Sequence, residues 1–198
     1  SKKIILDLFD GVETDLNVKV KMKSKEDLLV YSYRVAGTVG LMMSKILKVE
    51  NKEALKGAID LGIAMQLTNI ARDVIEDKNQ NREYIDNNFS SIKETINKAE
   101  IFYKKSFVAI KGIPIKSRFS VIVARRVYKK IGDYILKQKN IENYIKAGKI
   151  YVPLEGKILE TILSIVDFFK LLFIKNISYD NNKNHSILSK EIDLNERI

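Results

Sequence analysis

The stretch Leu61-Gly-Ile-Ala-Met-Gln-Leu-Thr-Asn-Ile-Ala-Arg-Asp-Val-Ile-Glu-Asp77 decides how this chain folds. Side chains three or four positions apart share one face of an α-helix, so four polar residues form a narrow stripe: Gln66, Asn69, Asp73 and Asp77. Apolar side chains flank this stripe and cover the back of the helix: Ile63, Ala64, Leu67, Ile70, Ala71, Val74 and Ile75. The pattern predicts a helix that is buried on most sides and carries a thin polar line ending in two carboxylates.

The two carboxylates of the stripe allow two interpretations. Unpaired buried carboxylates are costly, so a buried stripe needs a polar partner. One amide oxygen and two carboxylates, each about one turn apart, are hard oxygen ligands that suit Mg²⁺, which proteins usually share with substrate phosphates. Alternatively, carboxylates near the end of a helix are commonly solvated or paired with a nearby arginine, here Arg72 or Arg82. The spacing of a lone pair of aspartates leaves both interpretations open.

The composition limits the fold and the chemistry. The chain has 198 residues, 45% of them hydrophobic and only two of them proline, which predicts one globular helical domain. It contains no cysteine, which excludes disulfides and thiolate metal sites. The single histidine, His185, lies in a polar segment, so Ser-His or Cys-His nucleophilic catalysis is not expected. The net charge of +10 comes mostly from scattered lysines and fits an anionic substrate, nucleic acid or anionic lipid.

The rest of the sequence predicts an all-α domain over residues 1–177. Ser24, with Asp27 three residues later, predicts a capped helix start, and Asn51 predicts the start of the helix that carries the stripe. The other predicted elements are the end of a helix at Lys2–Phe9, a turn over 10–15, and helices ending near Leu47, Ile110, Gln138 and Ile174. Residues 178–198 contain few apolar side chains, which predicts a flexible tail.

Two glycines, Gly37 and Gly40, lie inside the predicted helix that follows Ser24. Each costs about 1 kcal/mol relative to alanine in a helix. Their presence indicates that another backbone or a ligand comes close. Tight packing between helices is the simpler explanation, and a nearby ligand is compatible with it.

Two long motifs resemble those of a known family. Residues 66–77, followed by Asn81-Arg-Glu-Tyr-Ile85, closely resemble the second aspartate-rich motif of the squalene/phytoene synthase family. Upstream, Tyr31-Ser-Tyr-Arg-Val-Ala-Gly-Thr-Val-Gly-Leu-Met42 resembles that family's other signature, in the form seen in phytoene synthases. The resemblance extends over residues 10–157 and weakens after Tyr84.

The resemblance implies an isoprenoid synthase-like helical bundle that catalyses a head-to-head prenyl transfer. In this reaction two geranylgeranyl diphosphates are joined to phytoene, in carotenoid biosynthesis, with Mg²⁺ or Mn²⁺ as cofactor. No Gly-rich dinucleotide motif is present, so NADPH is not expected. The expected partner is a prenyl diphosphate substrate, and no nucleic acid is expected. A cytoplasmic protein is expected, with peripheral membrane contact because the product is a lipid.

The resemblance assigns roles of family residues to the matching positions of this chain. The resemblance assigns metal binding to Asn69, Asp73 and Asp77, and a place beside the reacting centre to Tyr31. Asp73, Asp77 and Tyr31 are therefore the expected catalytic residues. The expected substrate-binding residues are Gln66, Arg72 and Arg82 at the diphosphate, Val35, Ala36 and Val39 along the isoprenoid tails, and Tyr128 as a further substrate contact. Lys149 stands where related synthases often have arginine. Arginine binds phosphate in a bidentate manner, whereas lysine binds it only as a point charge.

The chain also departs from the family pattern. The family uses two aspartate-rich motifs on facing helices, whereas Asp73–Asp77 is the only pair of this spacing here. We therefore expect the C-terminal two-thirds of the family fold. The sequence is then either a fragment of a longer protein or one part of a split enzyme whose N-terminal half is supplied by another chain. The alternative is a non-catalytic protein that binds prenyl diphosphate or assists a synthase. A basic nucleic-acid binder is the weakest hypothesis, resting on these residues alone: Arg118, Arg125, Arg126, Lys129 and Lys130.

Overall fold

The computed structural model describes residues 2–177 and 183–198, and its architecture is all-α, as predicted. The helices are α1 (Lys2–Asp15), α2 (Lys25–Ser32), α3 (Thr38–Ile46), α4 (Lys52–Asn79), α5 (Phe89–Ala109), α6 (Ile115–Leu136), α7 (Ile141–Ala147), α8 (Leu154–Phe173), α9 (Lys183–Leu188) and α10 (Leu194–Arg197). A π-helix, Tyr33–Gly37, joins α2 to α3, and a 3-10 helix, Ile110–Gly112, follows α5.

Helix α4 lies at the centre of the fold. It packs most extensively against α5, and the π-helix, α3 and α6 also pack against it. Its side chains Ile59 and Ile63 are fully buried, in one core cluster with Tyr33, Phe102 and Tyr103. Burying an aliphatic side chain of this size stabilises a fold by about 1.5–3 kcal/mol. The core therefore fixes α4, and with it the polar stripe, relative to the surrounding helices.

Polar side chains define where α2 and α4 begin. Ser24 Oγ accepts a hydrogen bond from the Asp27 backbone N–H at 3.0 Å, and the Asp27 carboxylate accepts one from the Lys23 N–H at 3.2 Å. Asn51 Oδ1 accepts a hydrogen bond from the Ala54 N–H at 2.9 Å. Both predicted helix starts are confirmed, because each cap satisfies a backbone donor that the first turn leaves unpaired.

Helix α1 corrects a prediction. A helix ending at Phe9 and a turn over 10–15 were expected, but the helix continues through this segment. Gly11, which favoured the turn, is buried where α1 crosses the π-helix, and a Cβ there would collide with the side chains of Arg34 and Val35. Tertiary packing at this crossing outweighs the low helix propensity of glycine.

The C-terminal segment 183–198 differs from the expected flexible tail, and residues 178–182 of that tail lie outside the described residues. Leu188 is fully buried in the main core cluster. Arg197 donates from Nε and Nη2 to the two carboxylate oxygens of Asp7, each at 3.0 Å. His185 Nε2 lies 2.6 Å from Asp60 Oδ1, and both side chains are buried. A few well-placed contacts dock a segment whose average composition is polar.

Two short strands bring the end of α4 next to the start of α2. β1 (Val20–Lys21) and β2 (Arg82–Glu83) pair in parallel, with Val20 opposite Arg82. The Val20 N–H donates to the Asn81 carbonyl at 3.0 Å. This pairing fixes the path of the segment between α4 and α5.

Glycines mark the places where helices touch. A Cβ on Gly40 would collide with the backbone of Ala58, and one on Gly62 would collide with the backbone of Ala36. Gly37 is buried against Tyr33 and the side chain of Ile59 in α4. Close approach of helices therefore explains Gly37 and Gly40.

The basic residues of α6 make contacts within the protein. Arg125 is buried and donates from Nε and Nη2 to the Tyr103 carbonyl oxygen at 3.0 and 2.7 Å. Arg126 pairs with Glu160 at 2.8 Å and with Asp167 at 2.6 Å. These contacts tie α6 to α5 and α8.

Two stretches of the sequence, near residues 28–47 and 158–174, are rich in apolar side chains, and they form α2–α3 and α8. Among the described helices, none has the length and apolar character needed to cross a membrane.

Candidate functional site

The four stripe residues of α4 lie between buried flanks. Gln66, Asn69, Asp73 and Asp77 are all partly buried, and none is fully exposed. Ile70 and Val74, on the flanks, are buried. The stripe therefore faces a restricted polar environment instead of bulk solvent.

Asn69 carries an unusual polar atom. Its Oδ1 is buried and has no hydrogen-bond partner among the described residues. Buried polar atoms in folded proteins are nearly always paired, and leaving one unpaired costs about 1–3 kcal/mol. The amide oxygen is thus available to a donor or cation from outside the chain.

Asp73 is held between two cations. Arg72 donates from Nε to Asp73 Oδ1 at 2.8 Å and from Nη2 to Oδ2 at 2.6 Å. Lys149 Nζ lies 3.6 Å from Asp73 Oδ1 and donates to Glu76 at 2.6 Å. Hydrogen bonding to Asp73 raises the pKa of Arg72 above its ordinary value. This charge-assisted pair holds both side chains in one geometry.

Asp77, one turn further, is in a less favourable environment for a negative charge. Burial and the charge of Asp73 raise the pKa of Asp77 from 3.8 to about 6. Arg82 opposes this rise, whereas Glu76 and Asp15 add to it. Crowded carboxylates of this kind are stabilised by a bound cation.

Protein carboxylates alone do not complete a metal site in the described part of the chain. No three His, Asp or Glu side chains converge there closely enough to hold a metal ion. A cation at the stripe would need the Asn69 amide oxygen and atoms of a bound molecule as further ligands.

Asp15 is a site residue that no sequence pattern pointed to. Tyr31 Oη donates to Asp15 Oδ2 at 2.8 Å, and Tyr84 Oη donates to Asp15 Oδ1 at 2.6 Å. The two phenol rings stack with centroids 4.9 Å apart. Burial raises the pKa of both phenols well above the ordinary value, and Asp15 contributes to the rise. Asp15 was not predicted because its segment was expected to be a turn, remote from the stripe.

Arg82 reaches this cluster from β2. Its Nη1 donates to Gln80 Oε1 at 3.1 Å, and its Nη2 lies 3.4 Å from the Asp15 carbonyl oxygen. Together with its effect on Asp77, these contacts place Arg82 between the carboxylate end of the stripe and the Asp15 cluster.

A cavity of about 260 Å³ opens beside Asp73. Its polar lining residues are Arg72, Asp73, Glu76, Asn79, Tyr144 and Lys149. Tyr144 donates to the carbonyl oxygens of Ala71 at 3.0 Å and Arg72 at 2.5 Å, and so fixes α7 against α4. Neither α7 nor Tyr144 was predicted from the sequence, because residues 139–147 have the composition of a polar interval.

The remaining predicted residues lie at different places. Val35 packs with Tyr31 in a small apolar cluster, and Ala36 is partly buried. Val39 is 48% exposed on α3. Tyr128 is partly buried and packs against both larger core clusters. Its effect on the pKa of Arg72 adds to the larger effect of the hydrogen bond to Asp73.

Comparisons with known proteins agree with the motifs. The family model described as squalene/phytoene synthase matches residues 1–89. The chain is 33% identical over 150 residues to 15-cis-phytoene synthase of Paracoccus sp. (strain N81106 / MBIC 01143), covering 67% of this chain and 49% of that protein. It is 31% identical over 180 residues to chloroplastic phytoene synthase 1 of Solanum lycopersicum, covering 77% and 43%.

The chain belongs to the squalene/phytoene synthase family. A solved structure of a dehydrosqualene synthase in complex with ligand has the same fold, with a TM-score of 0.70 at 24% identity, covering 86% of this chain and 66% of that one. The isoprenoid synthase-like helical fold predicted from the motifs is thereby confirmed. This family member spans about half the length of the curated relatives it matches.

Proposed function

We propose that this chain takes part in the Mg²⁺-dependent head-to-head condensation of two geranylgeranyl diphosphates to phytoene, a step of carotenoid biosynthesis. The observation that carries the proposal is the stripe of α4, where the unpaired Oδ1 of Asn69 lies on the same helix face as the crowded carboxylates of Asp73 and Asp77. The product is taken from relatives whose names are 15-cis-phytoene synthase and phytoene synthase.

The residues of the stripe fit a hard divalent cation. Asn69, Asp73 and Asp77 offer only oxygen atoms, which suit Mg²⁺ and also Mn²⁺. A bound Mg²⁺ would neutralise the diphosphate leaving group and favour its departure. The raised pKa of Asp77 supports this assignment, because a cation would relieve the repulsion between the two carboxylates.

Basic and amide side chains around the stripe would bind the diphosphate. Arg72 and Lys149 already converge on Asp73, and Arg82 lies beside Asp77. Arginine can hold phosphate oxygens in a bidentate manner, whereas Lys149 acts as a point charge. Gln66, one turn before Asn69, extends the polar line toward the apolar part of the site.

Tyr31 would face the reacting carbon atoms. Its proton is committed to Asp15, and burial keeps the phenol protonated, so its oxygen offers lone pairs and not a proton to a developing positive charge. Val35, Ala36 and Val39 would contact the isoprenoid tails, and Tyr128 would contact substrate near Arg72. These apolar surfaces would keep water from the cation. We propose a cytoplasmic protein with peripheral membrane contact, since the product is apolar, and a reaction without NADPH.

The test measures Mg²⁺-dependent diphosphate release and phytoene formation from geranylgeranyl diphosphate. The chain is assayed alone and together with the segment of a phytoene synthase relative that lies outside the aligned region. Asp73→Ala should lower the rate by roughly 100-fold or more, equivalent to about 2.7 kcal/mol of transition-state stabilisation, and should abolish Mg²⁺-supported diphosphate binding with helicity unchanged. Asp10→Ala removes an exposed carboxylate on α1 and should leave both unchanged. Retention of Mg²⁺-supported binding by Asp73→Ala would refute the metal assignment.

A non-catalytic prenyl-diphosphate-binding or accessory protein is the second candidate. Asp73–Asp77 is the only aspartate pair of its spacing in the chain, and in the structure Asp73 is already paired with Arg72. Tight, Asp73-dependent substrate binding without product in either assay would favour this candidate over the transferase.

A further inference from the structure

A second cavity, of about 380 Å³, lies between the end of α1, β1 and the helical segment α2–π-helix. We call it the basic cavity and define it by its charged lining residues: Lys19, Lys21, Lys23, Asp27, Arg34 and Glu191. Arg72, Asp73 and Asp77 are not among the residues that line it. The basic cavity adjoins the candidate active site at Tyr31 and Val20, the latter paired with Arg82, but it does not include the carboxylates of the stripe.

One wall of the basic cavity is an extended segment with alternating side chains. Val20 is buried and Met22 is partly buried, whereas Lys19, Lys21 and Lys23 are exposed. Successive side chains of a strand point to opposite sides, and the exposed lysines alternate with Val20 and Met22 in this way around β1. This wall therefore places a row of ammonium groups along the cavity.

Arg34, from the π-helix, forms the opposite wall and is the unusual residue of the basic cavity. It is partly buried, and its Nε is inaccessible to solvent and has no hydrogen-bond partner. Within residues 2–177 and 183–198 its side chain makes neither an ion pair nor a hydrogen bond. A buried N–H without an acceptor is costly, and the Arg34 Nε–H is such a donor. The other arginines of the described chain all have acceptors, such as Asp7 for Arg197 and the Tyr103 carbonyl oxygen for Arg125.

The carboxylates of the basic cavity leave a surplus of positive charge. Asp27 is engaged in capping α2, where it accepts a hydrogen bond from the Lys23 backbone N–H at 3.2 Å. Lys21 is partly neutralised by Glu83 at 3.2 Å. Four cationic side chains thus face two lining carboxylates, those of Asp27 and Glu191.

We propose that the basic cavity binds a phosphate group, with the Arg34 guanidinium as its central donor and the lysine row as its electrostatic surround. A phosphate supplies the acceptors that Arg34 lacks, because two of its oxygens can accept hydrogen bonds side by side from the planar guanidinium. The cavity volume lies within the range of small-molecule sites. The ligand is either a free phosphate compound or the headgroup of an anionic lipid, and the inference does not depend on the proposed function.

The first arm of the test uses inorganic phosphate and pyrophosphate. Binding is measured by calorimetry with the whole chain, in EDTA and about 0.15 M salt to suppress unspecific attraction. Arg34→Met keeps the apolar stem and removes the donors, and it should weaken binding at least tenfold. Lys116→Gln, at an exposed lysine of α6, is the matched control and should bind as the wild type does. Binding that is lost in Arg72→Gln but kept in Arg34→Met would place the phosphate at the candidate active site and would overturn the proposal.

The second arm uses vesicles of phosphatidylcholine with and without phosphatidylglycerol. If Arg34→Met loses binding to the anionic vesicles and Lys116→Gln retains it, the ligand is a lipid headgroup. Binding of free phosphate with the same dependence would assign a soluble compound. If neither arm depends on Arg34, the proposal is wrong.

A folding control accompanies both arms. Because the Arg34 guanidinium makes no contact that the fold requires, Arg34→Met should unfold at the wild-type temperature or above it in phosphate-free buffer. Should Arg34→Met not fold, the double variant Lys19→Gln/Lys23→Gln replaces it and should weaken phosphate binding at least threefold. Unchanged binding by that variant would equally overturn the proposal.

Discussion

Replacing Asp77 by asparagine should stabilise the protein at neutral pH and should remove the affinity for Mg²⁺ and diphosphate that we propose for it. Asp77 is partly buried beside Asp73, and its pKa rises from 3.8 to about 6. The substituted amide would keep the shape of the side chain and remove the repelled charge. A residue whose charge is costly in the ligand-free protein is expected where the charge serves a ligand.

The size of this effect follows from the pKa of Asp77. At about 1.4 kcal/mol for each pKa unit, the rise from 3.8 to about 6 corresponds to at most about 3 kcal/mol. The side chain is partly exposed, so solvent screening reduces the expected gain to about 1–2 kcal/mol. The folded protein binds this proton more tightly than the unfolded chain does, so stability is lost as the pH rises from about 4 to about 6. Asp77→Asn should remove that loss.

The assay is urea unfolding followed by far-ultraviolet circular dichroism between about pH 4 and pH 8. Asp77→Asn should match the wild type near pH 4 and exceed it above pH 6. Asp10→Asn, at an exposed carboxylate of α1, should stay within about 0.5 kcal/mol of the wild type at every pH. With Mg²⁺ and pyrophosphate present, only the wild type and the control should gain stability. The electrostatic reasoning would be refuted if Asp77→Asn were less stable than the wild type at pH 7. It would also be refuted if the variant gained as much stability near pH 4 as near pH 8.

Two further predictions concern other parts of the fold. Asp15→Asn should lower the pKa of Tyr84, because the hydrogen bond to Asp15 is, after burial, the largest cause of its rise. Tyrosinate absorbance during alkaline titration should show one group ionising earlier than in the wild type, and an unchanged titration would contradict the role of Asp15. Arg197→Met should destabilise the protein by about 3 kcal/mol, because it leaves the buried carboxylate of Asp7 without its cation, whereas a loose C-terminal segment would show no change in urea unfolding.

The local pattern of the sequence was sufficient for the stripe and for the starts of α2 and α4. The spacing of Gln66, Asn69, Asp73 and Asp77 follows the helical period, so their common face depends only on backbone geometry. The caps at Ser24 and Asn51 act within one turn, and both predicted starts agree with the structure. The two motifs also sufficed to identify the family.

Other features depend on residues that are distant in sequence and meet only in the folded chain. Asp15 joins Tyr31 and Tyr84 because the β1–β2 pair closes a loop of about sixty residues, and no local pattern reports such a closure. Gly11 stays helical because another helix packs on it, and the polar C-terminal segment docks through Leu188 and Arg197. Sequence by itself determined which oxygen atoms share a helix face, since that is set by the repeat of one helix. Only the tertiary structure decided which charges oppose one another, since burial and electrostatic coupling arise when separate elements are brought together.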